Sequence, residues 1–136
     1  MKLELKHLAP YLPYGLQMSC ETMNGLETFK WTLLPNTIEE VLSFKNKPIL
    51  RPLSELTNEI EINREKFVPI KEIKKAEAFK KWNEGVNEHI GIEYILTSLY
   101  PCYLEYWMVE KLLQWHFDIY DLIKNDLAID INTLDQ

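Results

Sequence analysis

Cysteine and glycine are scarce in this chain. The only thiols are Cys20 and Cys102. Two lone cysteines cannot make a disulfide framework, and they lack the paired C-x-x-C spacing of a zinc site; they suit a reducing compartment. Four glycines leave little backbone for cradling phosphates. There is no Walker loop, no G-x-G-x-x-G and no G-x-S-x-G, and neither cysteine has a nucleophile context. No apolar run reaches the roughly 18 residues of a membrane span. The opening "MKLELKHLAPYLPYGL" has no continuous apolar core of the signal-peptide kind. These absences lead us to expect a soluble, cytoplasmic protein that is not an enzyme, with no cofactor, no metal and no membrane partner.

Positive charge is also short, and unevenly so. Residues 86–136 hold two Lys/Arg against nine Asp/Glu, whereas residues 61–85 hold seven against five; the whole chain carries −6. An acidic surface repels phosphate backbones, which argues against non-specific nucleic-acid binding.

What is present is an ordinary globular supply: 136 residues, 46% hydrophobic, with four Trp and seven Tyr. That length and composition fit one domain, residues 1–136, with a core of its own.

The clearest local signal is Asn24-Gly25 between two alternating runs. Asn-Gly suits a type I′ turn, because both central residues need positive φ. A two-residue loop then sets Met23 opposite Leu26, Cys20 opposite Phe29, Met18 opposite Trp31 and Leu16 opposite Leu33. The pairs Glu21–Thr28, Ser19–Lys30 and Gln17–Thr32 fall on the other, polar face. A lone hairpin is barely stable, so its apolar face must cover something.

Around it the chain reads as short helices. "LELKHL" forms a helical turn that Pro10 and Pro13 stop. Thr37 to Glu40 reads as a capping box opening a helix "TIEEVLSF", and "KNKPILRP" as extended. Ser54 reads as the N-cap of a helix "ELTNEI", Asn63 as a turn, and "KFVPI" as a short strand or extended arm. "IKEIKKAEAFKKWNEG" is rich in helix formers and ends at Gly85, with Ile73, Ala76, Phe79 and Trp82 toward the core. Residues 88–99 fit helix or strand, with helix preferred. Leu104 to Phe117 is the main helix, and Ile123 to Ile131 an alternating tail that could pair with the hairpin. The expected fold is α+β: an N-terminal hairpin, which a C-terminal strand could extend, packed on three to five helices.

The stretch "EYWMVEKLLQWHFDIYDLI", Glu105 to Ile123, concentrates the reactive side chains. A helical wheel places Val109, Leu112, Leu113 and His116 on one side, flanked by Met108 and Trp115. His116 could be a general base or metal ligand. The plainer reading is a core imidazole bonded to a carbonyl or carboxylate, because no second His lies at i±4. Trp107 falls on the polar side with Lys111, Gln114 and Asp118, the arrangement of an interface anchor; the plainer reading is that another element covers it. Lys71, Lys74, Lys75 and Lys81 form the one basic cluster near aromatics, which a nucleic-acid interface would use. Glu72, Glu77 and Glu84 dilute it toward a solvated helix face. The aspartates of the last third lack the Gly and closing Glu of a calcium loop.

Four phrases, "HLAPYLPYGL", "KPILRPLSEL", "EKFVPI" and "WHFDIYDLIKNDLAIDINTL", stand in this order along the chain. Together they resemble a group of small uncharacterised proteins encoded by prophages and other mobile elements of gut bacteria. The resemblance implies a setting, in which short acidic proteins are often accessory or regulatory binders, and implies no activity. The leading expectation is a non-enzymatic module acting on an unknown protein partner. The alternatives are a nucleic-acid-associated protein, an acidic decoy that mimics DNA, and a hydrolase centred on His116.

Overall fold

The two alternating runs either side of Asn24-Gly25 form strands β1 (Gln17–Glu21) and β2 (Thr28–Thr32). They pair antiparallel in the register that the two-residue turn dictates: Gln17 with Thr32, Met18 with Trp31, Ser19 with Lys30, Cys20 with Phe29 and Glu21 with Thr28. The pairing continues past the strands, where the Leu33 amide donates to the Leu16 carbonyl at 2.8 Å. The computed structural model describes residues 2–21, 28–37, 46–76 and 105–134. The Asn24-Gly25 turn, the helix expected over 38–44, the stretch from Glu77 to Gly85 and the segment 88–99 lie outside the described residues.

On the hairpin's apolar face Leu16, Met18 and Leu33 are buried, while Gln17, Lys30 and Thr32 on the other face are exposed. Ser19 departs from this pattern and is buried. It sits between Lys30 on one ladder and Lys47 on the other, where a short side chain flanked by two long ones loses its access to water.

The sheet is larger than a hairpin. "KNKPIL" is not merely extended; it is β3 (Asn46–Leu50), antiparallel to β1 with Met18 opposite Pro48. The C-terminal tail contributes only two strand residues, β6 (Ile129–Asp130), and these run parallel to β3, not beside the hairpin. The order is β2-β1-β3-β6. A second hairpin joins β4 (Ile60–Ile62) to β5 (Glu65–Phe67). Its turn residues Asn63 (φ 52°) and Arg64 (φ 68°) both have the positive φ of a type I′ turn. The turn at Asn63 and the strand at Lys66-Phe67 agree with expectation, whereas Pro69 and Ile70 of the expected strand or arm begin a helix. The helix expected over 55–60 does not form: Leu53–Thr57 is a 3₁₀ helix, Ser54 lies inside it behind Pro52, and Ile60 belongs to β4.

Three α-helices occur among the described residues. Helix α1 (Leu5–Leu8) runs into a 3₁₀ helix over Ala9–Tyr14. The α-helix thus ends ahead of Pro10, but the chain continues as a 3₁₀ segment with Pro10 in its first turn, where the missing amide has no partner, and Pro13 inside it. Gly15, at φ 63°, ends the segment in the left-handed region that glycine enters without strain. Helix α2 (Pro69–Lys75) opens with proline in its first turn and closes at Ala76, whose backbone is extended. The helix expected to run to Gly85 is thus interrupted at Ala76, and the rest of that stretch lies outside the described residues. Helix α3 (Tyr106–Gln114) ends three residues before the expected Phe117.

Leu8, Tyr11, Met18, Leu50, Met108 and Phe117 lie at the centre of one core with no exposed surface. Burial of each such side chain contributes roughly 1.5–3 kcal/mol. The described residues are α+β, with the sheet, the N-terminal helices and α3 meeting around this core.

Candidate functional site

Helix α3 stops because His116 takes a left-handed conformation, φ 61°. The His116 amide donates to the Leu113 carbonyl at 3.0 Å and the Phe117 amide to the Leu112 carbonyl at 2.9 Å. This is the Schellman pattern, with histidine where glycine is usual. The imidazole is held in place, since Nε2 donates to the Tyr14 carbonyl at 2.6 Å, which puts the proton on Nε2. Burial lowers the His116 pKa below its usual value. The Tyr14 carbonyl opposes that shift and the Arg51 charge adds to it.

Beyond the helix, the backbone of Arg51 bridges both sides of Phe117. Its amide donates to the His116 carbonyl and its carbonyl accepts from the Asp118 amide, both at 2.8 Å. The Arg51 Nε donates to the Trp115 carbonyl at 3.2 Å, a cation at the negative end of α3. The Tyr11 hydroxyl donates to the Phe117 carbonyl at 2.5 Å and receives the Ile119 amide at 3.4 Å. Burial pushes that hydroxyl above the usual phenol range, against the pull of the Ile119 amide.

Asp118 is buried, and both its oxygens are occupied. Oδ1 accepts from the Leu122 amide and Oδ2 from the Ile123 amide, each at 2.9 Å. Desolvation raises its pKa, the amides of Ile123, Leu122 and Tyr120 oppose the rise, and Asp121 adds to it. The carboxylate thereby starts a turn that Asp126 (φ 59°) closes with a second Schellman pair: Asp126 amide to Ile123 carbonyl at 3.1 Å, and Leu127 amide to Leu122 carbonyl at 2.8 Å. A cleft of about 290 Å³ adjoins this turn, lined by Pro52, Leu53, Ser54, Asp118, Asp121, Ile123 and Lys124. His116 does not line it.

The four residues that the wheel groups together do not form one surface. Trp107 is half-buried against the core, and its Nε1 donates to Glu105 at 2.7 Å. Lys111 lies over the Trp115 ring, with Nζ 5.6 Å from the centroid. Gln114 is exposed, while Asp118 is buried beyond the end of the helix. The exposed line on α3 is displaced by one residue: Tyr106, Glu110 and Gln114, at i, i+4 and i+8, are all exposed, Tyr106 to 74%. The 3₁₀ helix of residues 9–14 packs beside α3. Desolvation and then the charges of Glu110 and Tyr106 raise the pKa of the Tyr14 hydroxyl. Sequence reasoning missed Tyr106 because Trp107 is the larger anchor on a wheel. Its position as the first residue of α3, ahead of the buried Met108, was the available signal.

On α2, Lys71, Lys74 and Lys75 are exposed, and Lys75 pairs with Glu72 at 3.0 Å; Lys81 lies outside the described residues. Among the described residues no group of three or more His, Cys, Asp or Glu could hold a metal ion. None of their helices is long and apolar enough to cross a membrane.

The four phrases quoted above converge in space. Tyr11 meets Phe117, Tyr14 meets His116, Arg51 meets Trp115, and the Phe67 and Trp115 rings stand 5.1 Å apart. The chain matches no protein-family model, and no curated protein or solved structure matches it.

Proposed function

We propose that this protein is a non-enzymatic binding module that acts through protein contacts made by the exposed line Tyr106, Glu110 and Gln114 on α3. The observation that carries this reading is Tyr106, a large aromatic 74% exposed on an ordered helix whose opposite face is core. An exposed aromatic with polar neighbours is the composition of an interface anchor. The division of labour among the other polar groups supports it. Tyr11, Arg51, His116 and Asp118 are committed to backbone partners, which gives them structural work and leaves the α3 surface for recognition. A role as an accessory or regulatory protein of a prophage or other mobile element rests on the resemblance of the four phrases.

The test is site-specific photo-crosslinking in the native host. A crosslinking residue at position 106 should capture one defined protein, and the same residue at exposed Lys66 should not. Equal capture from both positions, or none from 106, overturns the reading.

A further inference from the structure

We propose that the partner presents a basic, arginine-bearing segment to the surface formed by Tyr106, Glu110, Gln114 and Tyr14. This names the chemistry of the partner and rests on the binding-module reading above. Three observations select it. The first is an uncompensated carboxylate: Glu110 is exposed and makes no ion pair with any described residue. The basic side chain next to it in sequence, Lys111, is turned onto the Trp115 ring. The second is the pair of tyrosines. Tyr106 is one helical turn from Glu110, and Tyr14 ends the 3₁₀ helix that packs beside α3. A guanidinium can lie on a tyrosine face while its N–H fork meets a carboxylate, and arginine does both better than lysine. The third is rigidity. The Tyr14 carbonyl is held by His116 at 2.6 Å, and the start of α3 is braced by the Trp107–Glu105 bond at 2.7 Å. The surface is thus formed before a partner arrives, which limits the ordering cost of binding.

Charge beyond the patch agrees. The chain carries a net charge of −6, and a net negative charge draws a basic segment and repels an acidic one. Eight residues of helix span roughly 12 Å, the length of about four extended residues. A short linear segment therefore fits the line better than a broad domain face.

The experiment uses the full chain with a short arginine-rich peptide and its glutamate counterpart as probes. Affinity is read by fluorescence anisotropy, and the site by amide chemical shifts. The arginine peptide should bind, weaken as salt rises, and shift residues around 14, 106 and 110. Tyr106→Ala and Glu110→Gln should each weaken it about threefold, the scale of one exposed cation–π contact or ion pair. Both sites are exposed, and unchanged thermal melts confirm that the variants fold. Equal binding of the glutamate peptide, shifts confined to another surface, or wild-type affinity in both variants overturns the proposal. If position 106 crosslinks a protein in the host while the arginine peptide fails, the binding-module reading stands and the basic partner falls. If the peptide binds at this site while position 106 crosslinks nothing, the chemistry of the patch stands and the proposed module function falls.

Discussion

The Tyr11 hydroxyl donates to the Phe117 carbonyl across 106 positions of sequence. That carbonyl lies just past the end of α3, in a segment the Arg51 backbone holds at His116 and Asp118. One phenol thus ties the N-terminal 3₁₀ helix to the point where the main helix turns into the C-terminal segment. Tyr11→Phe keeps the ring and removes the tie, leaving a buried carbonyl without its donor. A cost of roughly 1–3 kcal/mol is expected, measured as a lower midpoint in chemical denaturation. An unchanged midpoint would show that the bond contributes nothing net.

His116 combines a left-handed backbone with a side-chain bond, and two variants separate the terms. His116→Ala and His116→Gly both lose the bond to Tyr14, but only glycine relieves the positive φ. Glycine should exceed alanine in stability by about 1 kcal/mol. Alanine at or above glycine would mean that the turn is not left-handed in solution.

Arg64 occupies the second position of a type I′ turn at φ 68°. Arg64→Gly should raise stability by about 0.5–1 kcal/mol, since Asn-Gly is the preferred pair for this turn. A lower melting temperature would count against the assigned turn geometry.

Half-buried His116 and buried Asp118 give opposite pH dependence. The folded-state pKa of His116 is depressed, so the unfolded chain binds more protons in the window below the usual histidine value; stability from this group falls as pH drops through that window. The folded-state pKa of Asp118 is raised, so the folded chain binds more protons just above the usual carboxylate value. Its contribution is full below that value and is lost as pH rises through the raised pKa. Denaturation midpoints across mildly acidic pH should show the wild type losing more than His116→Gln on acidification. The difference between wild type and Asp118→Asn should shrink as pH rises through the carboxylate window. No difference in either comparison would mean that the group is solvated in the folded state, and the reverse sign that its folded-state pKa is shifted the other way.

Parts of this were legible in the linear pattern because they are local. Asn24-Gly25 with period-two alternation fixes the β1–β2 register, and a slip of one residue would turn Met18 and Leu16 to water. The apolar side of α3 was readable for the same reason, from Met108 to Leu113. His116 was misplaced on the wheel because the usual signal for a helix end is glycine, and the apolar pattern runs on through Phe117 into a segment that is no longer helical.

By itself the sequence determined the strands of the first hairpin, the apolar face of the main helix and the acid-rich C-terminal region, all set by spacing along the chain. Only the tertiary structure decided that β6 joins β3 and that Asp118 turns inward to bind the amides of Leu122 and Ile123. It also decided that Tyr106, and not Trp107, faces out. Each of these depends on which distant surface fills the space beside a residue. In a helix, one residue of phase is about 100° of direction, and packing against Tyr11, Arg51 and the sheet sets that phase.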